Sequence, residues 1–330
     1  MTKTYQLVGV GNAIVDVISQ CDDNFLDMMG IEKGIMQLIE RERGEVLYAA
    51  MKERVQTPGG SVANTIAGAG ALGLDAAFIG RVHDDALGRF YAKAMQEDGV
   101  DFVNAPVPGG ELPTSRSMIF VSPDGERSMN TYLGISSELN SEDVPNATAS
   151  VAEIMFLEGY LFDKDKGKSA FLEAARDCKA AGGKPGIAIS DPFCVERHRA
   201  DFLSLIENEL DFVIGNQDEI KSLFQTDDLE SALAQTAAIC PLVICTRSGD
   251  GVTVLSSEGR VDVPVTKVVP VDATGAGDQF AAGFLFGLAT GRDMETCAKI
   301  GNACAAEVIS HIGPRPKANM RALLKAQGLI

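Results

Sequence analysis

Short apolar runs alternate with stretches of helical pattern over most of the chain. Leu7–Val10, Ala77–Gly80, Ile154–Leu157, Ile187–Ser190, Phe212–Ile214 and Leu242–Thr246 read as buried strands. Helical segments fall between them, at Ser61–Leu72, Asp85–Glu97, Lys168–Ala181, Leu229–Ile239, Asp278–Ala289 and Thr296–Ser310. This βαβ alternation predicts an α/β fold with a mostly parallel sheet and helices on both faces. Ligands of such sheets sit at the carboxyl ends of the strands.

One stretch departs from the pattern. Ser115–Val121 and Glu126–Tyr132 flank the turn Ser122-Pro123-Asp124-Gly125, which predicts an antiparallel hairpin standing apart from the parallel sheet. Ala13–Ser19 and Ile35–Ile39 are candidates for the remaining strands of a small sheet closing over the strand ends. No internal repeat, low-complexity tract or flexible linker interrupts the chain. Residues 1–330 therefore predict one α/β domain with a β lid inserted from about residues 12–20, 34–40 and 113–133.

Charge narrows the function. The 46 acidic residues outnumber 29 basic ones, for a formal charge of −17, and such a field repels polyanions. Nucleic acid and anionic membrane surfaces are poor partners, so any phosphate must be held locally by backbone amides, helix N-termini, a few basic side chains and a divalent cation. Cys21, Cys178, Cys194, Cys240, Cys245, Cys297 and Cys304 are scattered without a Cys-x-x-Cys pair, as suits reduced thiols in a cytoplasm. Met1–Val10 lacks the regions of a signal peptide, and no apolar run reaches the roughly 18 residues of a bilayer span. A soluble cytoplasmic protein is expected.

The most informative segment is Val271-Asp272-Ala273-Thr274-Gly275-Ala276-Gly277-Asp278-Gln279-Phe280, followed by a small apolar helix. A Gly-Ala-Gly turn opening a helix exposes consecutive amides that, with the helix dipole, can hold anionic oxygens. Asp278 stands beside that hole, placed to accept the proton of an attacking hydroxyl. On residue type alone, an ordinary Asp at a helix start is the competing reading. The string Asp272–Asp278 resembles the C-terminal signature of the ribokinase-like (PfkB) carbohydrate kinases. The resemblance implies a three-layer sandwich under a β lid, a phosphate loop of Gly275, Ala276 and Gly277, and Asp278 as catalytic base. It also implies a site for a monovalent cation such as K+ at Asp272 and Thr274, with Gly313 as a further contact.

Other motifs follow in the family's order, from about residue 7 to about residue 316. Thr57-Pro58-Gly59-Gly60-Ser61-Val62-Ala63-Asn64-Thr65 brings a di-glycine into an Ala-rich helix, and Gly11-Asn12-Ala13-Ile14-Val15-Asp16 leaves the first strand. A carboxylate such as Asp16 can accept hydrogen bonds from two adjacent hydroxyls, and Asn64 offers both donor and acceptor. These two segments and Arg127-Ser128-Met129-Asn130-Thr131-Tyr132-Leu133-Gly134 look most like the adenosine kinase branch. By that resemblance Asn12, Asp16, Gln37, Gly60, Ser61 and Asn64 line the acceptor site, and Arg127 reaches the phosphates on closure. A solvated hairpin charge is the plain alternative for Arg127.

For the nucleotide, Asn216-Gln217-Asp218-Glu219 matches an Asn-x-x-Glu element in which Glu219 orients hydrated Mg2+. On the residues alone, this string also reads as a capped, acidic helix start. Thr246-Arg247-Ser248-Gly249-Asp250-Gly251 resembles the family's Thr-x-Gly-x-x-Gly loop, with Ser248 in place of a glycine and Gly249 able to absorb the departure. Asn302 matches a position flanking the adenine, where eukaryotic adenosine kinases are associated with histidine. ATP and Mg2+ are thus the expected cofactors, and the expected partner is a nucleoside or sugar bound by a monomer or homodimer.

Rival readings are weaker. Val8-Gly9-Val10-Gly11 begins a dinucleotide fingerprint, but Ile14 stands where a small residue is required. Gly167-Lys168-Ser169 has Phe162 at the first glycine of a Walker sequence. His83, His198 and His311 show no metal-ligand spacing, and Ser61 lacks the flanks of a nucleophile elbow. A ribose, fructose or related sugar kinase remains open, as does a silent nucleoside sensor, although a sensor has no use for a base at Asp278.

Overall fold

The computed structural model describes residues 5–330; the first four residues of Met1–Val10, read as lacking a signal peptide, lie outside the described residues. Among the described residues fourteen strands occur: β1 Tyr5–Val10, β2 Ile14–Gln20, β3 Met36–Leu38, β4 Val55–Gly59, β5 Ala76–Ile79, β6 Val100–Phe102 and β7 Ser115–Val121, followed by β8 Arg127–Tyr132, β9 Ala152–Glu158, β10 Lys184–Ala188, β11 Phe212–Asn216, β12 Leu242–Thr246, β13 Val252–Ser256 and β14 Gly259–Val263. A nine-stranded sheet runs β14-β13-β12-β11-β10-β9-β1-β5-β6. From β12 to β6 its pairs are parallel, and β13 and β14 add an antiparallel edge.

Alternation along β1 shows why helices cover both faces. Leu7 belongs to one apolar core with Ile66, Phe156, Phe212, Phe280, Phe284 and Ile300. Its neighbours Val8 and Val10 point into a second core with Met155, Leu157, Phe171, Phe202 and Leu233. The first core binds helices Ser61–Ala71, Ala276–Ala289 and Met294–Val308; the second binds Asp165–Ala180, Pro192–Glu209, Gln217–Phe224 and Leu229–Ile239. Helix Ala276–Ala289 is buried continuously from Gln279 to Gly287. Its small residues allow the helix to lie between two others, so its first turn is held firmly where β1 and β9 end.

The small sheet is also present, in the order β3-β8-β7-β2-β4. Its β7–β8 hairpin and strands β2 and β3 match the expectation, with β2 parallel to β7 and β3 parallel to β8. Strand β4 was unforeseen because Pro58 and Gly59 read as breakers. It lies at the sheet edge, where a missing proline donor costs little. Strand β14 and helices Asp23–Met29, Arg41–Ala50 and Met320–Ala326 were also unforeseen, and Asp165–Ala180 begins before its expected start at Lys168. Among the described residues no helix is long and apolar enough to cross a membrane.

Gly9 explains part of the misleading Val-Gly-Val-Gly string through packing. A Cβ at this position would lie 2.4 Å from Ile66 Cγ1 and 2.8 Å from Val62 Cγ1, so the glycine admits helix Ser61–Ala71 onto the sheet. Gly9→Ala should therefore lose about 1–3 kcal/mol by overpacking. Urea denaturation should show the double variant Gly9→Ala/Ile66→Ala less destabilised than the two single losses added together; a neutral Gly9→Ala would refute the packing role.

Candidate active site

Gly275, at φ 79°, turns the chain from the loop Asp272–Thr274 into helix Ala276–Ala289. Among the described residues no side chain caps this helix. The Ala276 amide closes a turn on the Ala273 carbonyl at 3.2 Å, which leaves the first-turn amides of Gly277 and Asp278 for a ligand. Gly277 and Asp278 both line the cleft beneath. Within the Gly-Ala-Gly turn the Ala276 amide is spent on the Ala273 carbonyl, while the Gly275 and Gly277 amides donate to no carbonyl among the described residues.

Asp278 is held from a second helix start. Ser61 Oγ donates to its Oδ1 at 2.7 Å, and Asn64 Nδ2 donates to Oδ2 at 3.1 Å. Thr65 Oγ1 donates to the Asp278 carbonyl at 3.1 Å, and buried Gln279 donates through Nε2 to the Asn64 and Pro314 carbonyls at 3.0 Å each. Arg315, absent from the sequence reading, donates from Nε to Asn64 Oδ1 at 3.2 Å and pairs with Asp98. Enclosure by protein pushes the Asp278 pKa up to about 6, against the pull of Ser61, Asn64 and the Arg315 charge. Ser61 and Asn64, expected to meet substrate, thus spend donors on Asp278.

Two more carboxylates converge here. Asp16, buried on β2, has its pKa pushed up to about 7 by burial, with Arg127 and Arg315 lowering it and Asp278 raising it again. Among the described residues none donates a hydrogen bond to the Asp16 carboxylate, which leaves both oxygens for a ligand. Glu158, at the end of β9, is 1% exposed and lifted by burial to about 7. Its Oε1 accepts from Asn12 Nδ2 at 2.8 Å, and its Oε2 accepts from the Val62 amide at 3.0 Å. Asn12 Oδ1 accepts from Ser136 Oγ at 2.9 Å, so the Asn12 amide is committed inside the protein. Glu158 was missed in the sequence; an acidic residue closing the apolar run Ile154–Leu157 at a strand's carboxyl end was the available signal.

The cleft, of about 910 Å³, gathers Ser61, Asn216, Glu219, Thr246, Ser248, Gly249, Gly251, Gly277, Asp278 and Asn302. Gly60 caps the helix that carries Ser61; of the residues expected at the acceptor site, Asn12, Asp16, Gln37, Gly60 and Asn64 fall outside the cleft lining, Gln37 on edge strand β3 opposite Asn130. Ser248 itself takes φ 48°, so the strain expected to fall on Gly249 is borne by the serine. Asn302 Nδ2 reaches the Pro264 carbonyl at 3.4 Å and ties its helix to the strap lining the cleft.

Asn216 and Glu219 form a reciprocal capping box. The Asn216 amide and Nδ2 donate to Glu219 at 2.8 and 2.6 Å, and Asn216 Oδ1 accepts from the Asp218 and Glu219 amides. Burial, reinforced by the charges of Asp191 and Asp218, holds Glu219 at about 7. This donor set fits a nucleotide with a hydrated divalent cation: the open amides would hold phosphate oxygens, and Glu219 would supply a carboxylate for the ion. Beside Ala273 of the cleft lining, Asp272 and Thr274 gather around the Arg127 guanidinium at 2.5 and 2.9 Å.

The geometry describes a phosphotransferase, and comparison with known proteins agrees. Residues 29–320 match the sequence profile described as "pfkB family carbohydrate kinase". The chain belongs to this family and is a kinase of sugars or nucleosides. A probable sugar kinase from Rhizobium etli CFN 42 is 43% identical, with 100% of each chain covered and a TM-score of 0.92. An adenosine kinase from Sinorhizobium meliloti is 44% identical, covering 98% of this chain and 99% of that one, with a TM-score of 0.91. A fructokinase of Klebsiella pneumoniae is 32% identical over 71% of this chain and 78% of its own length.

Removing a donor that favours the charged form raises a carboxyl pKa. In selectively labelled protein followed by carboxyl 13C NMR, Asp278 should titrate near 6, and Ser61→Ala should move that titration to higher pH. An unmoved or lowered value would show that the Ser61 hydrogen bond does not favour the charged carboxylate.

Proposed function

We propose that the protein transfers the γ-phosphoryl group of ATP to the primary hydroxyl of adenosine, with Asp278 as general base. The carrying observation is the Asp278 carboxylate, fixed by Ser61 and Asn64 beside the open amides of an uncapped helix start. A base with a pKa near 6 is ionised at neutral pH yet basic enough to take a proton as the hydroxyl attacks. Mg-ATP supplies the phosphoryl group. The amides of Gly277 and Asp278 would hold its developing charge, and Glu219 would orient the hydrated Mg2+.

On the acceptor side, Asp16 has two carboxylate oxygens without protein donors, suited to the vicinal hydroxyls of a ribose. Asn12 and Glu158 hold the start of helix Ser61–Ala71 and thereby Ser61 and Asn64. The small sheet serves as a lid that excludes water, with Gln37 on its edge, and residues 5–330 act as one catalytic unit. Adenosine is favoured by the full-length likeness to the Sinorhizobium meliloti adenosine kinase and by the strings Gly11–Asp16, Gly59–Thr65 and Arg127–Gly134. A sugar acceptor is the second reading, favoured by the Rhizobium etli and Klebsiella pneumoniae relatives.

A coupled ADP-release assay with Mg-ATP, screened over adenosine, other nucleosides, ribose and fructose, tests the reading. Asp278→Asn should lower turnover by roughly 10²–10⁴-fold while calorimetry shows the acceptor still bound. The wild-type kcat/KM should fall as pH drops through about 6, where Asp278 takes up its proton. Turnover confined to a free sugar would move the acceptor to the second reading, and an Asp278→Asn enzyme of near wild-type rate would end the assignment of the base.

A further inference from the structure

Arg127 opens β8 in the small sheet, yet its side chain ends in the loop that feeds helix Ala276–Ala289. Its Nη1 donates to Asp272 Oδ2 at 2.5 Å and to Thr274 Oγ1 at 2.9 Å. The pair is enclosed, with the Arg127 and Asp272 side chains 10% and 7% exposed. Asp272 is further bound by protein: its Oδ2 accepts from the Gly313 amide at 2.9 Å and its Oδ1 from the Thr274 amide at 3.0 Å. Burial works to raise the Asp272 pKa, but these hydrogen bonds and the Arg127 charge hold it below the usual carboxylate range. Asp272, Thr274 and Gly313 are the residues at which the sequence led us to expect a monovalent cation. They do not fit an added one, because a positive charge already bonds both the carboxylate and the hydroxyl, and a second cation there would meet it at close range.

We propose that Arg127 is a tethered replacement for that cation: a positioning residue that shapes the loop Asp272–Gly275 from the small sheet and frees the protein from a monovalent-ion requirement. The inference rests on the kinase reading, since the loop it shapes leads into the open amides of Gly277 and Asp278. A guanidinium suits this role better than an ammonium, because one planar group can bond the loop through one nitrogen and keep donors on its other edge. Here Nε and Nη2 of Arg127 are buried without a partner among the described residues, which marks that other edge as the one presented to an anionic ligand. The Arg127 charge also acts on the Asp16 carboxyl, lowering its pKa against the effect of burial. Closing the small sheet and setting the loop thereby become one event.

The test compares wild type with Arg127→Met, which keeps a long apolar stem but removes the charge, in potassium or tetramethylammonium chloride of equal ionic strength. Two readouts need no acceptor: the melting temperature of the free protein and the calorimetric affinity for ADP. Wild type should give the same values in both salts. Arg127→Met should gain a saturable rise in melting temperature and tighter ADP binding with potassium alone. In the kinase assay its turnover should fall by on the order of 10²-fold in tetramethylammonium and recover in part as potassium is added. A wild type that needs potassium for its melting temperature or ADP affinity would overturn the proposal, and so would a folded Arg127→Met indifferent to potassium. The wild-type comparison stands even if the variant does not fold. If the melting and ADP results hold while every acceptor fails, the cation replacement survives and the kinase assignment does not.

Discussion

Enclosing the Asp278 carboxylate between two helix starts is the constraint on which the site depends. Ser61 and Asn64 come from a helix placed by Gly60 and tied at Val62 to Glu158, while Asp278 comes from a helix whose buried length fixes its position. Neither helix start could shift independently without breaking a hydrogen bond to a carboxylate in a low-dielectric setting, where an unsatisfied charge is far more expensive than at a surface. The two apolar cores act on the chemistry through this geometry. They hold the sheet and helices rigid, and the polar atoms at the strand ends inherit that rigidity.

The same enclosure sets the electrostatics. Asp16, Glu158 and Asp278 gather acidic charge where an anionic phosphoryl group must pass, in a protein already at −17. Burial answers part of this by lifting all three toward neutrality, and Arg127 and Arg315 answer the rest at short range. The arrangement is local, because fields from exposed charges are screened within about 10 Å by salt whereas these groups are not. A strongly acidic protein can therefore handle phosphate without a basic surface.

Much of this was legible in the sequence. The βαβ alternation gave the parallel sheet, and Ser122-Pro123-Asp124-Gly125 gave the β7–β8 hairpin, because both are local patterns with a known physical period. Strand β4 was hidden by Pro58 and Gly59, whose edge position only the assembled sheet reveals. The site divided in the same way. Asp278 and its glycines stand in one string, whereas Glu158 and Arg315 act on residues far away in the chain and carry no local mark. Asn12, Ser61 and Asn64 were identified as important, but their partners were not, since a side chain's choice between ligand and protein donors depends on the packed arrangement. Ser248 shows the limit in backbone terms: a serine was not expected to take the left-handed conformation when a glycine stood next to it.

Stability and function pull against each other through these carboxyls. Asp16, Glu158, Asp278 and Glu219 each hold a proton more tightly folded than unfolded, with folded values of about 7, 7, 6 and 7. Folding therefore takes up protons between the ordinary carboxyl range near 4 and those values, and the stability present at the acid end is lost as pH rises through them. Asp272 works in the other direction: its lowered pKa contributes stability above its unfolded value, lost as pH falls through the folded one. At neutral pH the four raised groups thus weaken the fold relative to its acid state. On the proposed reading, however, Asp278 must be charged there to act as base. Hydrogen bonds to the Asp278 carboxylate reduce this conflict by favouring the ionised form without opening the site to water, which is why the donors of Ser61 and Asn64 are better placed on Asp278 than left free for a ligand.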